Sequence, residues 1–193
     1  MVSYGERPGL SPVVASLAAA GLIKREHSIL DIGCGTGTDV LALARWGAAR
    51  VVGIDTDGDL IGAAKRRAKG WGADRTVSFT HASISAANAP IPHASFDVVI
   101  DTLCRNNVPK SQLGAYSKNC WAALRPRGLI IIQERLHSGD NWRVTPRPLV
   151  SLRPYFDMGP SILTHIPEFV WISNRKRRTW ATVAVHVGVR RSR

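Results

Sequence analysis

An α/β fold is what the sequence predicts, a mostly parallel sheet with helices on both faces and an antiparallel hairpin at its end. Three observations predict it. Short apolar runs alternate with stretches of helical period from Ser28 to Glu134. Glycines Gly33, Gly35 and Gly37 crowd the junction between the first such run and the helix after it. The last stretch changes to a period of two, and no helix separates its two β-rich runs.

The elements follow in order. Ser11-Pro12 has the form of an N-cap followed by proline at the first helical position, and Gly21 ends that helix. Ser28 to Ile32 is a short apolar run stopped by glycine, hence a buried strand. Asp39 to Trp46 places Val40, Leu43 and Ala44 on one helical face. The alternation continues with a strand over Arg50 to Ile54, a helix over Asp59 to Lys69 and strands over Val77–Thr80 and Phe96–Ile100. A helix over Ser111–Leu124 and a strand over Leu129–Glu134 complete it, with Pro126 and Gly128 punctuating the last crossover. Such βαβ units are right-handed and give a parallel sheet covered on both faces. Phe169 to Ser173 and Thr179 to Val189 then read as a hairpin whose loop is Asn174 to Arg178. Thr182, Ala184, His186 and Gly188 alternate with valines, as in a strand with one buried face.

At 193 residues the chain fits one domain, with an arm and helix over 1–27, a core over 28–134 and a final segment over 135–193. No run is long or apolar enough to cross a bilayer as a helix. The apolar stretch Pro12 to Ile23 has only Arg7 against Glu6 on its flank, so it reads as a first helix and not as a signal peptide. Cys34, Cys104 and Cys120 form neither an even framework nor a metal spacing, so reduced thiols and a cytoplasmic protein are expected. The net charge of +12 is unevenly placed. Residues 1–101 hold 10 Lys/Arg and 10 Asp/Glu, while residues 102–193 hold 16 and 4. Arg-rich coding and a role in binding anions both account for that asymmetry.

The most informative local pattern runs from Ile29 to Gly37, with Asp31 two residues before the first glycine. Glycines at a strand-to-helix turn let the backbone approach a ligand closely. Asp55, 22 residues past Gly33, ends the next strand, where a carboxylate can accept both hydroxyls of a ribose. A dinucleotide loop wants its third glycine three residues after the second, but Thr38 stands there and Gly37 comes one residue early. A phosphate-binding loop gains nothing from a carboxylate at Asp31. A ligand carrying an ammonium and a sulfonium does.

With these residues the chain resembles the class I S-adenosylmethionine-dependent methyltransferases over nearly its whole length. The resemblance implies a Rossmann-like seven-stranded mixed sheet with a C-terminal antiparallel hairpin, S-adenosyl-L-methionine as methyl donor and S-adenosyl-L-homocysteine as product. Asp31, Gly33, Cys34, Gly35, Thr36 and Gly37 resemble the first motif, which holds the methionine part. Asp55 resembles the ribose-binding acid, with Thr56 against the adenine. His81, Ala82, Ser83 and Ile84 resemble the adenine-contacting turn after the third strand. Ser95 to Asp101 resembles the fourth-strand motif, placing Asp101 to face the donor or to cap its turn. Leu124 to Gly128 resembles the Leu-Arg-Pro-Gly-Gly turn before strand five. Two departures stand out. The family usually has an aspartate where Ser83 stands, and related small-molecule enzymes often carry His-His-Val-Pro where this chain has Asn106-Asn107-Val108-Pro109. Asparagine takes no proton at neutral pH, so a base at that place is lost.

Methyl transfer from a sulfonium needs alignment and desolvation more than a dedicated base. Asn106 is a candidate for orienting the acceptor, or a loop brace. His137, after strand five, is a candidate base, or a packed histidine. Tyr4 in the N-terminal arm is a candidate to close over the ligand. No metal is expected: Asp101 with Asp140-Asn141 only loosely resembles the magnesium triad of catechol-type enzymes. Cys104 lacks the proline of a nucleophile motif and reads as a small buried residue. Lys65, Arg66, Arg67 and Lys69 read as a solvated helix face. Arg175 to Arg178, beside Trp171 and Trp180, suits either stacked bases or a charge-guarded strand edge. The expected function is methylation of a small-molecule acceptor, with the charge favouring an anionic one. The alternatives are an RNA methyltransferase using the basic C-terminal half, and a non-catalytic donor-binding partner protein. Neither a membrane nor a defined oligomer is implied.

Overall fold

A computed structural model describes residues 10–73, 75–138, 149–172 and 175–192, with the backbone alone at 135–138, 163–172 and 175–183. Its elements are α1 (Pro12–Ala19), β1 (Ser28–Ile32), α2 (Thr38–Trp46), β2 (Arg50–Asp55), α3 (Gly58–Gly70), β3 (Val77–His81), β4 (Phe96–Thr102), α4 (Leu113–Ala123), β5 (Leu124–Ser138), β6 (Phe156–Met158), β7 (Ile162–Ile172) and β8 (Arg175–Arg190).

Helix starts follow the local chemistry. Ser11 Oγ accepts from Val14 N at 3.5 Å ahead of Pro12, and Asp57 Oδ1 accepts from Asp59 N and Leu60 N at 2.9 and 3.1 Å. Gly37 precedes α2 with φ +77°. A Cβ there would lie 2.7 Å from the Phe79 ring, so only glycine meets both demands.

The strand order is β3-β2-β1-β4-β5-β8-β6, with β7 also paired to β8. β1 to β5 are mutually parallel, and β8 runs antiparallel to β5, β6 and β7. β6 and β7 share one edge of β8, at Gly188–Arg190 and Arg175–Val185. Among the described residues, eight strands therefore fill the seven positions expected from sequence. Successive strand residues serve opposite faces of the sheet. Ile29, Val51, Val98 and Ile131 pack with α1, α2 and α3, whereas Leu30, Val52, Val99 and Ile130 pack with α4, Leu152 and Phe156.

Several sequence expectations need correction. β5 begins at Leu124, so the Leu124–Gly128 stretch joins the strand through an irregularity between Phe96 and Val98 of β4. Arg175–Arg178 lies within β8 and not in a hairpin loop, and β7 is longer than Phe169–Ser173. β8 does not show one buried face: Ala184, Val185 and His186 are all buried, because packing covers both sides. Arg67 does not face water freely. Its Nη1 donates to Thr36 O at 2.7 Å and to the hydroxyls of Thr36 and Thr38 at 2.9 and 3.2 Å, tying α3 to the glycine loop.

Arg127 has φ +63°, where a non-glycine residue is strained. Arg127→Gly is expected to raise stability by up to about 1 kcal/mol, since glycine's extra unfolded-state entropy offsets part of the relief. A thermal melt checks this, with Tm rising by roughly 2–4 °C; a lower Tm means that the guanidinium contributes more than its backbone costs.

Candidate functional site

The strand order reverses between β1 and β4, and α/β sheets bind ligands at such a switch point, at the carboxyl ends of the strands. A cavity of about 460 Å³ opens there. It is walled by the ends of β1 (Ile32, Gly33) and β2 (Ile54, Asp55, Thr56), the turn Ala82–Ser85 after β3, and Thr102–Cys104 at the end of β4. Asn107, Val108, Pro109 and Gln112 close the remaining side.

Gly33 brings the start of the glycine loop into the cavity lining. Gly33 N and Cys34 N donate to Ile54 O at 2.8 and 3.0 Å, which seats the loop on β2. Gly33 has φ +71°, and a Cβ on it would lie 2.7 Å from Cys104 Cβ. Glycine therefore lets the loops after β1 and β4 touch. Asp55 ties the loop to its own turn: Oδ2 accepts from Gly35 N at 2.8 Å and Oδ1 from Asp57 N at 2.9 Å. Each oxygen keeps acceptor capacity for a ligand hydroxyl. His81 Nε2 lies 3.0 Å from Thr56 O and braces the neighbouring wall.

Asp31 is 2% exposed, and its Oδ1 has no hydrogen-bond partner among the described residues. Burial first, then the negative charges of Asp39, Asp101 and Asp55, push its carboxyl well above the usual range. A buried carboxyl with an unused oxygen, in a negative field, is a receptor for a cation. This is the fit that an ammonium-bearing donor requires. Asp39 is half-buried, its carboxyl is raised by desolvation, and Ser11 N donates to its Oδ1 at 2.7 Å, docking the start of α1 beside the loop.

Gly33, Asp55, Thr56, Ala82, Ser83 and Ile84 thus line the cavity, while Asp31, Cys34, Gly35, Thr36 and Gly37 build the strand end and loop beneath it. Asp101 is not among the lining residues either. It does not face the cavity: its fully buried carboxylate accepts from Cys104 N (2.7 Å), Arg105 N (3.0 and 3.2 Å) and Tyr116 OH (2.7 Å). Burial pushes its pKa up to about 6 against these hydrogen bonds. Its short-range work is to cap the turn.

Asn106 lies in a short 3-10 turn over Arg105–Asn107, and its neighbour Asn107 is the one that lines the cavity. His137 pairs with Thr182 in the β5–β8 ladder, but its side chain lies outside the described residues, as do Tyr4, Asp140 and Asn141. Among the described residues no group of three His, Cys, Asp or Glu could hold a metal ion. The Cys104 thiol lines the cavity, and burial raises it far out of the thiolate range.

One constellation was not foreseen from sequence. Arg105 is fully buried and pairs with Glu134 on β5, which is 1% exposed. His186 Nε2 lies 3.5 Å from Glu134 Oε2, and its Nδ1 lies 2.6 Å from Ser161 Oγ. Burial opposes ionisation of Glu134, but the His186 ring nearby and the Arg105 charge outweigh it and hold the carboxyl below its usual range. This array anchors the loop between Cys104 and Asn107, two residues of the cavity wall. The signal available in the sequence was a single acid, Glu134, ending an apolar strand.

Comparison with known proteins agrees with this architecture. A family described as a methyltransferase domain matches residues 29–128. Demethylmenaquinone methyltransferase of Tropheryma whipplei is 31% identical over 111 residues, covering 58% of this chain and 43% of that protein. The chain spans about half the length of the curated relatives it matches. A structure concerned with converting a disulfide bond into a thioacetal group in echinomycin biosynthesis superposes with a TM-score of 0.75 at 22% identity, covering 95% of this chain and 83% of that one. A SAM-dependent methyltransferase of Methanosarcina mazei gives 0.66 at 18% identity, covering 93% and 98%. The chain belongs to the methyltransferase-domain family, within the class I S-adenosylmethionine-dependent methyltransferase superfamily.

Proposed function

We propose that the chain transfers the methyl group of S-adenosylmethionine to a small-molecule acceptor. The observation that carries this is the cavity itself, which joins the glycine loop, the Asp55 carboxylate and the loop after β4 in one space of about 460 Å³. That volume is of the size of small-molecule sites. When bound, the donor supplies an activated methyl to an in-line displacement. The chain's own residues bind and align. Asp31 holds the ammonium, Asp55 takes the ribose hydroxyls, and Thr56, Ala82, Ser83 and Ile84 surround the adenine. Leu103, Val108 and Pro109 exclude water from the remaining space, where the acceptor's nucleophile meets the methyl. Asp55 and Cys104 are the titratable groups among the described lining residues, and Cys104 is held protonated. The acceptor therefore brings its own lone pair, as a neutral amine or an anion, unless His137 serves as base.

Asp55→Ala is expected to weaken binding of S-adenosylhomocysteine by about 1.5–3 kcal/mol, the range for hydrogen bonds to a charged group. Calorimetry on the folded variant checks it, and unchanged affinity removes the ribose role of Asp55. NAD is expected not to bind.

A second reading, RNA methylation, is favoured by one observation. The β7–β8 ribbon continues past the last β5–β8 pair, Ser138 with Ala181, so Arg175–Arg178 overhangs the end of the sheet that holds the cavity. No Lys or Arg lines the cavity among the described residues. Salt separates the two readings. Contacts to several phosphates give a log–log slope of roughly −0.7 per contact on single strands. RNA binding is expected to vanish near physiological salt, and methyl transfer to small molecules to survive. Labelled methyl appearing in RNA, with transfer lost when Arg175–Arg178 are neutralised, would instead establish the RNA reading. Turnover of the donor with any acceptor excludes a purely binding role.

A further inference from the structure

Ser83 stands where a carboxylate is usual in the family, and the structure shows how a hydroxyl can replace it. Ser83, Ser85 and Gln112 all line the cavity. Ser83 Oγ and Ser85 Oγ lie 3.0 Å apart, and Ser85 Oγ donates to Gln112 Oε1 at 2.7 Å. Ser85 N also points at Ser83 Oγ, at 3.3 Å. The scaffold around this chain is fixed: Asn119 Nδ2 on α4 donates to Ile84 O and Ala86 O at 2.7 and 2.8 Å, clamping the turn to the helix that Gln112 introduces.

A hydroxyl carries one proton and two acceptor sites, whereas a carbonyl oxygen only accepts. The Ser85 proton is committed to Gln112, so Ser85 offers Ser83 a lone pair. The Ser83 proton then goes to Ser85. Ser83 Oγ is left with acceptor capacity alone, part of it facing Ser85 N. We infer that Gln112 and Ser85 are positioning residues that polarise Ser83 into an obligate acceptor and so make the site select a 6-amino purine over a 6-oxo purine. An exocyclic amino group donates to such an oxygen. A 6-oxo group would set lone pair against lone pair, while an unconstrained serine would rotate and donate to it. The inference rests on the donor-binding reading proposed above.

The test is calorimetry of the purified chain with S-adenosylhomocysteine and with S-inosylhomocysteine, its 6-oxo counterpart. The wild type is expected to prefer the adenosyl compound by roughly tenfold or more, the equivalent of one ordinary hydrogen bond. Ser85→Ala and Gln112→Ala should each bring the ratio towards unity, chiefly by improving inosyl binding. Gln112→Glu keeps an acceptor for Ser85 and should retain the wild-type ratio. A variant that merely loosens the turn would weaken both compounds alike and leave the ratio unchanged, which overturns the inference. So does a wild type without preference. No binding of S-adenosylhomocysteine by the wild type overturns the donor reading instead.

Discussion

Glu134→Ala is expected to remove about 3–5 kcal/mol of stability, because it deletes the buried carboxylate that pairs with the buried Arg105 guanidinium. Arg105 is 0% exposed and Glu134 1%, so water cannot take over the lost interaction without opening the fold. Against a total of roughly 5–15 kcal/mol for a natural domain, this is a large share. Urea unfolding measures it, and Tm should fall by roughly 6–20 °C. The double variant Arg105→Met with Glu134→Leu is expected to recover most of the loss, since neither charge then remains to be solvated. If Glu134→Ala alone costs under about 1 kcal/mol, the pair is not desolvated as the structure has it. The pH dependence has a definite sign. Glu134 has a folded pKa held below its unfolded value. Its contribution is therefore complete above the unfolded glutamate pKa and is lost as pH falls through the depressed folded value.

Asp31→Asn is expected to have opposite effects on binding and on stability. Asp31 is buried, faces three other acids and leaves Oδ1 without a partner among the described residues. In the free protein its charge is a burden. The raised folded pKa means that the folded state holds the proton more tightly than the unfolded chain. Stability therefore declines as pH rises from the unfolded aspartate pKa through the folded one, and the deficit is complete above it. Replacing the carboxylate by an isosteric amide removes that deficit, so the free variant should melt higher at neutral pH. The same change removes the partner of the ligand ammonium. Affinity for S-adenosylmethionine should fall by about 1.5–3 kcal/mol, ten- to a hundredfold and more. In the wild type, affinity should climb as pH rises through the Asp31 pKa, since binding needs the ionised form. A variant that melts no higher and binds as well as the wild type would show that Asp31 serves the fold alone.

These two predictions divide between what was legible in the chain and what was not. The glycine loop, Asp31 and Asp55 were readable, because a strand-to-helix turn constrains backbone conformation locally and its residues sit at fixed spacings. The parallel core was readable for the same reason: apolar alternation at periods near 2 and 3.6 is a local property, and the observed β1 has the bounds expected for it. The C-terminal segment was less so. Thr182 to Val189 looks one-sided in sequence, but burial on both sides depends on which strands flank it, and that is a long-range choice. The split of one sheet position between β6 and β7 is of the same kind.

The sequence by itself determined the family's loop and sheet, and the charge excess of its second half. Only the tertiary structure decided what individual polar groups do. Asp101 became a turn cap once Tyr116, Cys104 and Arg105 surrounded it, although its place at the end of β4 suited a donor contact equally well. Arg67 left a solvated face for the carbonyl and hydroxyl of Thr36, 31 residues away. Arg105, Glu134 and His186 come from separate stretches of chain and meet in the interior. The reason is physical. A polar side chain gains little from its sequence neighbours in water, so its partner is fixed only when folding removes the water and leaves particular donors and acceptors within reach.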